Sequence, residues 1–520
     1  MKVAAIDIGS NSIHMIIAAD NGDASFEVLD REKDVVRLGA GAFKQGRISD
    51  SSFAAGLDAL SKFKQIIDRH GVDDIVAVAT SAVREAENGR QFIDAVRKLT
   101  GIQPRVITGK EEARLIHYAV RAALDLRHRK ALMIDMGGGS VEVAIAGYAR
   151  LRVAQSLKLG VLRLRDEIGR EDPMTSASRE RLTELVRQEA AEAMNEVREV
   201  GFDVAVGTSG TILNLGVAIH LKKGPTNWIS PHGRIVTLPE LRELALELKE
   251  LDAEKRARIP GIDPDRGDTV HLGALVLVQL LEMAGAESLM LCEAAIREGL
   301  VYERFARAGE VNREKHELPN LRRASILRLA RKCGQDNPHP RQIVKLALQI
   351  FDQTTTVHGL NNAARELLEY AAWLHDAGRA IGFERHEQLS YYIIRYGELR
   401  GFTDEEVELV ALMARFHRRA KPKARFDEFA HLSPWGQQVV TLGSAILRLA
   451  EGLDRRHLQI VRKLRCELWT RRLRIYVDAA GDAAVETWSA RRKAALLAKV
   501  LDRKIDLELE GGRVESNPSA

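Results

Sequence analysis

Two segments of the sequence match each other at one fixed offset. Residues Asp7–Ala18 read DIGSNSIHMIIA and residues Asp135–Ala146 read DMGGGSVEVAIA, coinciding at Asp7/Asp135, Gly9/Gly137, Ser12/Ser140, Ile17/Ile145 and Ala18/Ala146. Each copy is an apolar run ending in Asp, a turn stripped of bulky side chains, and a second apolar run, which predicts a β-hairpin. One such hairpin is an ordinary tight turn. Two matching copies imply two similar lobes whose tips face a common cleft. Glycine and serine let backbone N–H groups crowd around a phosphate. That singles out Ser10, Asn11 and Ser12 in the first copy and Gly137, Gly138, Gly139 and Ser140 in the second. The Asp at the end of each first strand is placed to hold a divalent metal beside that phosphate.

Two further segments follow the same logic. Val204–Gly216, VAVGTSGTILNLG, is a strand, a small-residue turn at Gly207, Thr208, Ser209, Gly210 and Thr211, and a helix start. Free N–H groups and the helix dipole favour phosphate there. Ala77–Gly89, AVATSAVREAENG, ends its strand at Thr80 and Ser81 and puts Arg84 one turn into a helix. A guanidinium at that point can fork onto phosphate oxygens, or be an ordinary helix-surface arginine. The sequence has no Gly-Lys-Ser/Thr phosphate loop and no signature loop for a covalent phospho-enzyme.

These pieces, in this order, together with TGKEEARL at Thr108–Leu115 and CEAAIREGL at Cys292–Leu300, resemble the exopolyphosphatase/guanosine pentaphosphate phosphohydrolase (Ppx/GppA) family, in its long form and closest to the exopolyphosphatases. The resemblance covers almost the whole chain. It implies an α/β fold of duplicated actin-like, sugar-kinase-like (ribonuclease H-like) lobes, followed by an all-helical HD-like domain and a small α+β domain. It further implies Glu112 as catalytic base, Asp135 and Glu142 as holders of Mg2+, Arg84 on phosphate, stimulation by K+, and a homodimer. Val141 stands where the family often has Thr, and CEAAIREG lacks the commoner acidic-Gly pair before the Arg. A phosphoanhydride hydrolase must position water in line and neutralise charge on the phosphoryl oxygens. Glu112 would take a proton from that water or orient it, and like-charge repulsion from Glu111 is expected to raise its pKa. The bland reading is also open: EEARLIHYAVRAAL is a good helix, and Glu near a helix start serves the dipole.

From about Arg313 the pattern turns to amphipathic helices such as IVKLALQIFDQ and RELLEYAAWLHDAG. His339 and the pair His375–Asp376 resemble the HD superfamily of helical metal-phosphohydrolases. His386 and His417 are further candidate ligands, and Glu451 or Asp454 a final acidic one; a metal-free relic is the alternative. The segment Gln437–Leu509 reads as a helix, the strands LRCELWT, LRIYVDA and AAVETWS, a helix and a closing strand. The expected division is lobe I at 1–125, lobe II at 126–310, the helical domain at 313–430, the α+β domain at 431–512 and a disordered tail at 513–520.

Net charge is only +5, but basic residues cluster late in the chain: Arg415, His417, Arg418, Arg419, Lys421, Lys423 and Arg425, then Arg471, Arg472 and Arg474, then Arg491, Arg492 and Lys493. Few aromatics interleave with them, which argues against nucleic acid and for a phosphate chain without bases; solvated faces are the plain alternative. No run of eighteen apolar residues predicts a membrane span. Asp7, Ser10 and Asn11 break the first apolar stretch, so no secretory pattern is expected. The three cysteines, Cys292, Cys333 and Cys466, are far apart and suit a reducing cytoplasm. The leading expectation is Mg2+-dependent, processive hydrolysis of terminal phosphate from inorganic polyphosphate. Three alternatives stay open: hydrolysis of pppGpp to ppGpp at the same site, an alarmone or polyphosphate sensor with weak catalysis, and a helical half that is itself the working phosphohydrolase.

Overall fold

The computed structural model describes residues 1–20, 26–126, 129–147, 151–169, 171–224, 230–308 and 321–510; the tail expected at 513–520 lies outside them. The chain forms two compact units, Met1–Leu321 and Arg322–Ala520.

In the first unit, β1 (Lys2–Ile8), β2 (Ile13–Asp20), β3 (Phe26–Asp34), β4 (Asp74–Ala79) and β5 (Arg105–Val106) form a sheet in the order β3-β2-β1-β4-β5. A second sheet combines β6 (Ala131–Met136), β7 (Val141–Ala146), β8 (Leu151–Leu157), β9 (Val204–Thr208), β10 (Ile235–Thr237) and β11 (Ser288–Leu291) in the order β10-β11-β9-β6-β7-β8. Without the edge strand β10 the two orders are the same. In each, the first strand has its antiparallel hairpin partner and a third antiparallel strand on one side, and two parallel strands on the other. The sequence repeat is therefore a repeat of topology.

Period-two alternation explains why β1 and β6 read as unbroken apolar runs. Each is buried on both faces. Ala4, Ile6 and Ile8 join one core and Ala5 another; likewise Leu132, Ile134 and Met136 part from Ala131 and Met133. The core that holds Ala5, Ala131 and Met133 is shared by the two sheets and is rich in alanine. It also takes in Leu115 and Ile116 of the helix Gly109–Ala123 and Leu300 of the helix Ile296–Ala308. These helices cross so closely that a Cβ on Gly299 would come 2.2 Å from the Leu115 carbonyl oxygen. The helix Ile296–Ala308 also packs on β1 and β2. Residues that chain order assigns to lobe II at 126–310 thus complete the packing of lobe I.

The second unit is mainly helical. One apolar core runs through the helices Pro338–His358, Asn362–Leu374, Asp404–Arg415 and Pro434–Leu453, and continues into a small sheet of β12 (Val461–Trp469), β13 (Arg472–Ala479) and β14 (Lys504–Leu509), in the order β12-β13-β14. The expected division at 430/431 marks no break in that core. The helix just beyond it, Pro434–Leu453, packs against both Pro338–His358 and Asp404–Arg415. The expected strand AAVETWS is instead the start of the helix Ala484–Lys493. Ala483, Glu486, Thr487 and Ala490 are buried at helical spacing there, and Glu486 takes a two-pronged ion pair from Arg456. No helix among the described residues is long and apolar enough to cross a membrane.

Candidate active site

The two hairpin tips close in the same way. Gly9 N–H donates to the Ser12 carbonyl at 3.1 Å, and Gly137 N–H to the Ser140 carbonyl at 2.9 Å. The tips also meet. A Cβ on Gly138 would lie 3.1 Å from Asn11 N, and one on Gly139 only 2.2 Å from Ser81 Oγ. Only glycine allows backbones to approach so closely. The tips border a cleft of about 320 Å³, lined among others by Ser10, Asn11, Ser12, Gly137, Gly138, Ser140, Ser209 and Gly210.

The other residues named for phosphate have committed side chains or packing duties. The Gly139 carbonyl accepts from Arg163 Nε at 2.8 Å. Gly207 lets Ile212 and Leu289 pack where a Cβ would come within 2.6 and 2.7 Å. The Thr208 hydroxyl donates to Asp135 Oδ1. Thr211 Oγ1 accepts from Arg266 Nη1 at 3.1 Å. Ser209 stands out at the N-terminus of the helix Ser209–Lys222. Its φ of 83° is left-handed, and its buried hydroxyl has no hydrogen-bond partner. A hydroxyl with no partner at such a helix start has the chemistry to donate to an anion.

Asp7, Glu112, Asp135 and Glu142 all line the cleft. Asp7 faces His14 across β1–β2 as Asp135 faces Glu142 across β6–β7. Glu112, Asp135 and Glu142 are buried; Asp7 is partly exposed as a residue, but its Oδ1 is enclosed and without a hydrogen-bond partner. Burial pushes Asp7 up to about 7, against the pull of Arg297. Burial also pushes Asp135 up to about 6, against the Thr208 hydroxyl and Arg297. Glu142 is held well above the ordinary range by burial, then by repulsion from Glu112 and Asp135. Carboxylates that repel one another, with an enclosed oxygen lacking a donor, fit a hard divalent cation. Mg2+ takes one or two carboxylates and leaves its other positions to water and phosphate.

Glu112 lies in the first turn of the helix Gly109–Ala123, whose capping box joins Thr108 and Glu111. Burial raises it to about 7; Arg84 opposes this, and Asp7 and Asp135 add to it. The expected repulsion from Glu111 is not the cause. Adjacent residues on a helix point different ways. Glu111 turns out to the Thr108 N–H and Arg105, which hold its own carboxyl below the usual range.

Arg84 has its guanidinium on the base: Nη1 donates to Glu112 Oε1 at 2.5 Å and to the Ile107 carbonyl at 2.6 Å. It lines a separate, more open groove of about 510 Å³ with Arg90, Arg97 and Arg105. Among the described residues, the cations that line the cleft are Lys33, Arg266 and Arg297. Lys33 is already paired with Asp263 at 3.1 Å. Arg297 lies in the motif CEAAIREGL and was within reach of sequence reasoning; Arg266 comes from a short turn after Pro264 that carries no periodic signal. His14, also in the cleft, is lowered to about 3 by burial and by Arg297, Lys33 and Arg266, and is neutral at neutral pH.

In the second unit, His339, His375 and Asp376 come together and are buried. Four residues of the late basic clusters are paired with carboxylates of the same unit. Arg415 pairs with Glu428, Arg472 with Asp506, Arg474 with Glu508, and Lys493 with Glu451; His417 is buried. Cys292, Cys333 and Cys466 are free thiols.

Comparison with known proteins gives concordant results. Residues 15–308 match the Ppx/GppA phosphatase family, and residues 321–488 match domain III of Ppx/GppA phosphatases. The Ppx/GppA family member of Aquifex aeolicus is similar at 27% identity and a TM-score of 0.51, over 60% of this chain and 99% of that one. An exopolyphosphatase from Cytophaga hutchinsonii is similar at 27% identity and a TM-score of 0.56, over 59% of this chain and 98% of that one.

Proposed function

The chain belongs to the Ppx/GppA phosphatase family, and on that premise we propose that it is an exopolyphosphatase, removing terminal phosphates from inorganic polyphosphate by direct attack of water. The observation that carries this reading is Glu112, a buried carboxylate raised to about 7 inside a cleft framed by two glycine/serine tips. A general base works best with a pKa near the operating pH. Glu112 takes a proton from the attacking water, whose oxygen bonds to the terminal phosphorus. The bridging P–O bond breaks, and the shortened chain leaves with that oxygen. Arg84 orients the base through Oε1. Arg266, Arg297, the Ser209 hydroxyl and the N–H groups of both tips offer charge and hydrogen bonds to the terminal phosphoryl oxygens. Asp7, Asp135 and Glu142 would hold Mg2+, which when bound neutralises charge on phosphate oxygens.

The preference for polyphosphate rests on the walls of the cleft. Among the described residues no Phe, Tyr or Trp lines it, so these residues offer a guanine base no ring to stack on, and a bare phosphate chain needs none. Phosphate release from long polyphosphate and from guanosine pentaphosphate, each with and without Mg2+, tests the assignment. Polyphosphate is expected to give the higher kcat/KM, and only with Mg2+. Equal or better turnover of the pentaphosphate would reverse the choice of substrate.

The raised carboxylates also make a thermal prediction. A proton and a divalent cation compete for the same oxygens. Asp7 and Asp135 are raised to about 7 and 6, so they stay largely protonated at pH 5.5 and ionise by pH 7.5. The Mg2+-induced rise in Tm is therefore expected to be small at pH 5.5 and clearly larger at pH 7.5 by differential scanning calorimetry. A shift that is the same at both values would mean that these carboxylates do not hold the ion.

A further inference from the structure

One residue of the first lobe joins both sides of the cleft. Arg37 follows β3, and its φ of 49° is left-handed, an uncommon setting for a residue with a side chain. Its neighbours hold it there. The Arg37 N–H donates to the Asn11 carbonyl at 2.8 Å, and the Gly39 N–H to the Ser10 carbonyl at 2.8 Å. The segment is thereby stitched to the first hairpin tip. A strained backbone persists where its surroundings over-determine it.

The side chain crosses to the other lobe. Nη1 donates to Asp268 Oδ2 at 2.8 Å, and Nη2 to Asp268 Oδ1 at 3.2 Å and to the Asp265 carbonyl at 2.5 Å. A planar fork on a carboxylate fixes direction as well as distance. Asp268 is steadied from its own lobe by Arg165. Lys33, also on the first lobe, pairs with Asp263 of the same segment at 3.1 Å through a single, more exposed contact.

Asp265 and Asp268 flank Arg266, whose guanidinium lines the cleft and donates to the Thr211 hydroxyl at 3.1 Å. The backbone of Arg37 therefore acts on Ser10 and Asn11 at one side of the cleft, and its guanidinium on the turn that presents Arg266 at the other. An ion pair as exposed as this one adds little to global stability. What it sets is spacing, and donors aimed at a phosphoryl group count most when they are held in place beforehand.

We infer that Arg37 is a positioning residue of the phosphate cleft: through its fork on Asp268 it sets the distance between the first hairpin tip and Arg266 at which both meet one phosphoryl group. The inference rests on the phosphate reading of the cleft and holds for either substrate. Arg37 acts through Arg266 and the tip, so its loss leaves the reacting groups present but misplaced. A misplacement of about 1 Å costs on the order of a hundredfold in rate.

The test is a set of double-mutant cycles on the full-length chain, assayed on whichever of polyphosphate and guanosine pentaphosphate wild type turns over faster. Arg37→Met keeps the N–H on Asn11 and removes the fork. It is expected to lower kcat about 10–100-fold, with a smaller change in KM and a Tm close to that of wild type. Arg37→Lys, with charge but no fork, should recover the rate in part. Asp268→Asn should repeat the loss, and the Arg37→Met/Asp268→Asn pair should be no slower than the slower single variant. The deciding cycle is with Arg266→Met: once Arg266 is gone, Arg37→Met should cost little more. A wild-type rate in Arg37→Met, or a loss that multiplies in full with that of Arg266→Met, overturns the positioning role and leaves the phosphate reading standing. A wild type that hydrolyses neither substrate overturns both. If Arg37→Met fails to fold, Arg37→Lys enters the same cycle in its place.

Discussion

Replacing Glu112 by Gln is expected to lower kcat for phosphate release from polyphosphate by about 10²–10⁴-fold, with little change in KM. Glutamine keeps the shape and can still accept from Arg84 through its amide oxygen, so the cleft and substrate binding should persist. What disappears is the oxygen that receives the proton. Stability separates this role from a structural one. The folded-state pKa of Glu112 is about 7, against an ordinary value of 4.5. A carboxylate raised on folding favours the native state while protonated, and that contribution is lost as pH rises through the folded pKa. Above pH 7 the charge opposes folding, so an uncharged isostere is expected to leave Tm at pH 8 unchanged or higher. A slow enzyme with an intact Tm supports the base. A variant that keeps more than a tenth of the wild-type rate would remove Glu112 from the mechanism, and one that melts early would make it a structural residue.

The same carboxylate sets the acid limb of the pH–rate profile. Glu112 must be ionised to accept a proton, so kcat/KM is expected to fall as pH drops through about 7. An ordinary exposed glutamate would place that limb near its usual value, more than two units lower.

Much of this site was legible in the sequence because its determinants are local. A glycine/serine tip after an apolar run ending in Asp needs neighbours only a few residues away, and the repeat at Asp7–Ala18 and Asp135–Ala146 carried the pairing of the lobes with it. What failed was whatever depends on which way a side chain turns. Arg84 sits on a helix of five residues, Ser81–Glu85, and only the approach of the helix Gly109–Ala123 decides that it meets Glu112. Glu111 and Glu112 are adjacent letters with opposite fates, one capping a helix and the other buried in the cleft. Arg266 comes from a turn with no periodic signature. Val485 and Trp488 made AAVETWS look like a strand, yet both are exposed, and helical packing of Ala483, Glu486, Thr487 and Ala490 took precedence. The late arginines counted as free charge in the sequence, whereas folding pairs Arg472 and Arg474 with carboxylates of the neighbouring strand β14.

The second large effect is expected at Arg297, where one guanidinium serves two functions. It lines the cleft, and it holds down Asp7 and Asp135, which burial would otherwise raise further. Arg297→Met keeps most of the aliphatic stem and removes the charge. Loss of a preorganised donor to the developing phosphoryl charge is expected to lower kcat by about 10²–10³-fold. Both aspartates should also rise, so protons compete with Mg2+ up to higher pH. The half-saturating Mg2+ concentration at pH 7 should increase, and at limiting Mg2+ the rate should fall off at a higher pH than in wild type. These readouts divide the two roles. Arg297→Lys restores charge without the planar fork, so it should recover the pH profile and the Mg2+ dependence more fully than the rate. If Arg297→Met slows catalysis while both profiles stay in place, the arginine acts on phosphate alone and the coupling to Asp7 and Asp135 fails. If the rate itself is unchanged, the phosphoryl group does not lie between the two tips, and the site proposed for it must be abandoned.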